Sequence, residues 1–186
     1  MSQVVGLSLS IAVLGAIWAF LALGPLSGFL LVWAGFIAWG CFFHTGGDNK
    51  ALIKTIAGTA YGALIAWIAL LIIVHVPIAA LGPVWPAIVV GVTVFCLVIA
   101  ASVEPLSAVP ANVYGYAALV GYSLHQPSAP PAAEGERGTG PLQNLAHVNF
   151  ANPLILLIVS MVIGALLGYL SSQLAKAVPT KGAAKA

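Results

Sequence analysis

Few residues in this chain have the types and spacing that chemistry requires. Glu104 is the acid that adjoins a long apolar stretch outside the evident loops. A carboxylate within a bilayer is a functional-site hypothesis by default, yet Pro105 follows it directly, as at a helix boundary. Two roles stay open for it: an interfacial charge that favours the start of the next helix, and a pathway or proton-linked group. Four histidines, His44, His75, His125 and His147, have titration or metal binding in their repertoire. No two of them lie at i, i+3 or i, i+4 on one helix, so they read as interfacial residues. Cys41 and Cys96 sit in apolar runs, where a thiol behaves as a small hydrophobe, and neither has a second ligand at metal spacing. Gly46-Gly47-Asp48 is a turn signal, too brief to cradle phosphate. With no nucleophile-base-acid set, no enzymatic activity, cofactor or metal is expected.

The most polar apolar segment holds Asn112, Tyr114, Tyr116, Tyr122 and Ser123. Asn112 and Tyr116 share a helical face, and polar atoms in lipid must find partners. That face should look into a wet cavity, or else hydrogen-bond within a packed core; the two readings weigh equally. Asn112, Tyr116, Trp39, Phe43 and Glu104 are therefore the candidates to line a pathway. Such a lining suits a small neutral solute, since no ring of charges selects ions.

The elements that must position these groups follow from composition. Of 186 residues, 61% are hydrophobic and only 5% charged, against about 25% in soluble domains. The net charge of +2 comes with no clustered basic stripe, which argues against a nucleic-acid partner. Spanning a bilayer takes about 20 apolar residues as a helix, and six segments read this way: 5–23, 28–43, 51–76, 87–103, a fifth from the 104–107 linker to about 124, and a sixth from Pro153 to about Lys176. Asn152 is placed to cap the sixth. Residues 125–150 read as a solvated, mobile extracytoplasmic loop and 177–186 as a basic cytoplasmic tail. Lys50, Lys54, Lys176, Lys181 and Lys185 fall on one side and Arg137 on the other, which puts both termini in the cytoplasm.

The chain also resembles itself. Pro25-Leu26-Ser27 recurs as Pro105-Leu106-Ser107, and the Gly62-Ala63-Leu64 helix recurs as Gly164-Ala165-Leu166. Three helices per unit, repeat one over 5–76 and repeat two over 87–176, force the second to insert upside down, and inverted repeats place a site at their mutual interface. Gly58, Gly62 and Ala66 stack on one face of the third helix, as Ser160, Gly164 and Gly168 do on the sixth. Small residues at this spacing let backbones approach closely, so helix packing is their expected role.

The run Trp33-Ala34-Gly35-Phe36-Ile37-Ala38-Trp39 leading to Gly46-Gly47, the later Val109-Pro110-Ala111-Asn112, and Gly164-Ala165-Leu166-Leu167-Gly168-Tyr169 resemble the small bacterial inner-membrane proteins of domain-of-unknown-function family 1097. The resemblance spans most of the chain. It implies a bacterial inner-membrane location and about six helices, and it brings no site residues with it. The expectation is thus an all-α membrane protein with a 3+3 inverted repeat, a homo-oligomeric channel or facilitator for a small uncharged solute or gas. The alternative is an accessory subunit that binds another membrane protein.

Overall fold

The structure, a computed structural model, describes residues 3–125 and 140–177. Arg137, Lys181 and Lys185, which weigh in the orientation argument, lie outside the described residues, as do 126–139 of the expected loop and 178–186 of the tail. Among the described residues six α-helices follow in order: α1 (Gln3–Leu23), α2 (Val32–His44), α3 (Asn49–His75), α4 (Val84–Ile99), α5 (Val109–His125) and α6 (Pro153–Ala177). Short 3-10 turns at Ala79–Leu81, Ala100–Ser102 and Glu104–Leu106 flank α4 and lead into α5.

Four of these elements are long and apolar enough to cross a membrane: α1, α3, α4 with its following turn, and α6. The other two are short. α2 has 13 residues, about 20 Å at 1.5 Å per residue, less than the roughly 30 Å hydrocarbon core. The expected start at Gly28 is displaced to Val32 because 24–31 winds irregularly: Gly28 has φ +87° and a lone bridge joins Ser27 to Leu30. Residues 24–29 of this stretch are exposed, and it is fixed to the protein at its far end. Here Leu30 is buried and the Leu31 N–H donates to Ser160 Oγ at 2.9 Å. α5 has 17 residues and is the more polar of the pair. The fourth helix stops at Ile99 rather than Val103, where Pro105 limits continuation and the backbone tightens into two 3-10 turns.

The helices pair off, each short one against a long one. α3 packs on α5 and α6 on α2; α3 also touches α6, while α4 leans on α3 and α1 on α6. α1 and α4 are peripheral, and Leu9, Val13, Ile17 and Phe20 of α1, with Val92, Phe95 and Ile99 of α4, turn apolar faces outward. Asp48 caps α3, accepting from the Ala51 N–H at 2.7 Å, and Gly47, at φ +69°, closes the C-terminus of α2 by donating to the Phe42 carbonyl.

Of the segment 125–150, expected as a mobile loop, residues 140–150 are described and are tied to the bundle at a few points. Residues 140–152 fold back on the bundle, with Leu145 1% exposed. Trp67 Nε1 donates to the Leu145 carbonyl at 2.8 Å, and Asn152 Nδ2 donates to the carbonyls of Leu145 and His147 at 2.9 and 2.8 Å. Asn152 also accepts from the Leu154 N–H, capping α6. Leu145, with the tethering side chains of Trp67 and Asn152, holds a stretch that opens on Gly140-Pro141.

Candidate functional site at the α2–α5 groove

The pairing of short helices with long ones creates two sealed seams and one open one. In the α3–α5 seam a Cβ on Gly62 would land on the Asn112 carbonyl oxygen, and one on Gly115 would land on the Thr59 carbonyl oxygen. A Cβ on Gly58 would press on Ala111 Cβ at 2.6 Å and Asn112 Oδ1 at 2.8 Å. In the α2–α6 seam Gly164 lies against the Gly35 backbone, and Gly35 is covered on its other side by the Trp18 indole. Gly168 abuts Phe42 and Trp39. Without hydrophobic drive between helices in lipid, such close backbone approach and its dispersion contacts carry association. Polar atoms are tied off in the α2–α6 seam and where α1 covers it. Trp39 Nε1 donates to Ser171 Oγ at 3.2 Å, Trp18 Nε1 to the Val32 carbonyl at 3.0 Å, and Ser10 Oγ to the Ser171 carbonyl at 3.0 Å.

The sequence-derived pathway candidates fall mostly into these seams. Asn112 is fully buried, with Nδ2 donating to the Leu106 carbonyl at 3.0 Å. Its Oδ1 has no hydrogen-bond partner and faces the Gly58 backbone. Tyr116 is buried and its hydroxyl meets Thr93 Oγ1 at 3.0 Å. Trp39 of α2 is buried against α6; Phe43 is half-buried, its ring 5.2 Å from that of Phe42. Glu104 stands at the surface, 3.1 Å from Lys54 Nζ. Ala66 is buried on α3, and Ser160 is buried where it receives the Leu31 N–H.

α2 and α5, in contrast, meet only sparingly. Between them runs a groove of about 650 Å³, walled by Trp33, Phe36, Ile37, Tyr114 and Tyr122, with Gly40, Cys41, Ala117, Ala118 and Gly121 completing it. No charged side chain lines it. Where a Cβ would stand on Gly40 or Gly121 there is no atom within 4 Å. Trp33 packs near Tyr122, ring centroids 6.2 Å apart, at one end of the antiparallel pair, and His44 sits 6.5 Å from Tyr114 at the other. A second cavity of about 270 Å³, lined among others by Gly28, Gly140, Asn144 and Phe150, shares Tyr122 with the groove. Tyr122 thus borders both the groove and this second cavity. Two phenols, one indole and one thiol give the groove sparse hydrogen bonding on an otherwise apolar wall, suited to a small neutral guest.

Helical phase explains which residues the sequence reading missed. On α5, Asn112, Tyr116, Leu119 and Ser123 form the buried face, while Tyr114, Ala117, Ala118, Gly121 and Tyr122 form the groove face. On α2, Trp39 belongs to the α6 face, whereas Trp33, Ile37, Gly40 and Cys41 face α5. One signal lay in the sequence: the offset of 80 that carries Pro25-Leu26-Ser27 onto Pro105-Leu106-Ser107 also pairs Ile37 and Cys41 of the α2 wall with Ala117 and Gly121 of the α5 wall. Among the described residues no three of His, Cys, Asp and Glu come together to hold a metal ion.

An all-helical chain with several apolar helices of membrane-crossing length has the make-up of a multi-pass membrane protein. The family follows from comparison: residues 8–176 match the family described as "Protein of unknown function (DUF1097)", and the chain belongs to it. No curated protein and no solved structure matches the chain.

Proposed function

We propose that this protein is a facilitator of the bacterial inner membrane for a small uncharged solute or gas, with its passage along the α2–α5 groove. The observation that carries the reading is the groove: uncharged, aromatic-walled, and running beside most of α2, from Trp33 to the Cys41 and Tyr114 level. In this reading all six helices cross or enter the membrane as two inverted three-helix units, with both termini cytoplasmic and the protomers assembled as a homo-oligomer. The pairing of helices supports the repeat. Exchanging the two units turns the α3–α5 seam into the α6–α2 seam and the α4–α3 contact into the α1–α6 contact. Ser160 meets Leu31 where Gly58 meets Ala111, positions matched by the same sequence offsets. The groove then lies where the two units face each other, the place where inverted-repeat proteins hold their sites.

The test is flux through sealed liposomes containing the purified protein, across urea, ammonia, glycerol and water. Protein-dependent flux of one of them is expected; none across the panel would sink the reading. The competing reading, an accessory subunit, is favoured by the groove's open side, where Trp33 and Phe36 are 37% and 43% exposed. A stoichiometric second protein in mild-detergent purification would support that reading, whereas a lone homo-oligomer would support the facilitator.

A further inference from the structure

We propose that the cleft between the start of α3 and the end of α6 binds a phosphate-bearing anion at the membrane surface. The cleft holds about 480 Å³ and is lined by Asp48, Asn49, Lys50, Tyr169, Gln173 and Lys176. Two lysines distant in sequence converge there, from the first turn of α3 and the last turn of α6. Among the described residues neither has a carboxylate within salt-bridge distance, whereas Lys54, one turn further along α3, is held by Glu104 at 3.1 Å. The carboxylate in the cleft is already engaged: Asp48 Oδ1 accepts the Ala51 N–H as the cap of α3. Two cations against one capped acid leave the cleft positive, and Asn49, Tyr169 and Gln173 add neutral donors that a phosphate oxygen can accept from.

A neighbouring cleft makes an internal contrast. It is lined by Lys50, Ile53, Lys54, Glu104 and Pro105, with the same two lysines to one acid, but there the acid is ion-paired with one of the lysines, so only Lys50 is left without a carboxylate partner. What adjoins the Lys50–Lys176 cleft also bears on the source of the anion. Leu166, Leu170 and Leu174 form an exposed apolar stripe on α6 beside Tyr169 and Gln173. An acidic lipid is able to seat its headgroup between the lysines while its chains lie on those leucines; free phosphate would use the lysines alone.

This inference does not depend on the groove carrying solute. The protein purified in detergent is offered an equal mixture of phosphatidylglycerol and phosphatidylcholine, and retained lipid is measured by mass spectrometry; inorganic phosphate binding is measured separately by calorimetry. We expect phosphatidylglycerol to be retained about tenfold or more over phosphatidylcholine, each interfacial lysine being worth about fivefold in affinity. The double variant K50Q/K176Q should lose that preference, K50R/K176R should keep it, and K54Q should change it less than twofold. Retention of phosphatidylglycerol identifies a lipid headgroup, and phosphate binding without lipid preference identifies the free ion, when K50Q/K176Q abolishes it. Equal retention of the two lipids with no phosphate binding, or retention by K50Q/K176Q equal to that of the unaltered protein, overturns the proposal.

Discussion

Glycine does opposite things in two regions of this molecule. In the α3–α5 and α2–α6 seams, Gly62, Gly115 and Gly164 sit where a methyl group would strike the facing backbone. In the α2–α5 groove, Gly40 and Gly121 sit where it would meet nothing within 4 Å. The first group sets how closely helices approach, and the second leaves space unfilled. The molecule thus seals each short helix onto a long one and keeps the two short helices apart. Close packing and an open groove come from the same residue type, told apart only by which helical face it occupies.

That contrast breaks most easily in the seams. Gly62→Val puts side-chain carbon onto the Asn112 carbonyl, so the folded fraction should collapse, with a loss of about 3 kcal/mol or more. Size-exclusion profile and helical signal on heating would check it, and an unaltered melting profile would mean that α3 and α5 are not pressed together there. Ser160→Ala comes next. It strands the Leu31 N–H at the entrance of α2 and should cost about 1–3 kcal/mol in the same measurement. Trp39→Phe removes the bond from the indole to Ser171 and leaves a small cavity where the larger buried ring stood, and should cost about 1–2 kcal/mol. Smallest is Glu104→Gln, which frees Lys54 at the surface; the side chain of Glu104 is 78% exposed, so a change beyond about 1 kcal/mol would contradict the assignment of this pair to the water interface.

The helices and their packing stripes were legible in the sequence because hydropathy and small-residue spacing are local, period-driven signals. Gly58, Gly62, Ser160 and Gly164 announce a close contact by recurring every fourth residue; the identity of the facing partner, Asn112 or Gly35, depends on tertiary pairing that no local signal carries. The groove was illegible for a different reason. Polarity draws attention to Asn112 and Tyr116, yet buried polar groups find partners inside the protein, and much of the wall facing open space is made of residues with no polar side chain to notice, among them Ile37, Gly40, Ala117 and Gly121. The irregular entrance to α2 escaped because Gly24-Pro25 reads as a tight reversal, while the support that lets it run to Leu31 comes from Ser160, far along the chain. Leu145, likewise, is one apolar residue in a stretch whose composition says loop.

The most direct test of the account fills the groove without touching a seam. Gly40→Phe and Gly121→Phe each place a ring where a Cβ has no neighbour within 4 Å, so both variants should fold and melt like the unaltered protein. Reconstituted in sealed liposomes, they should lower protein-dependent solute flux about tenfold or more. Flux that persists unchanged with the groove filled, in protein of unaltered stability, would contradict a passage between α2 and α5.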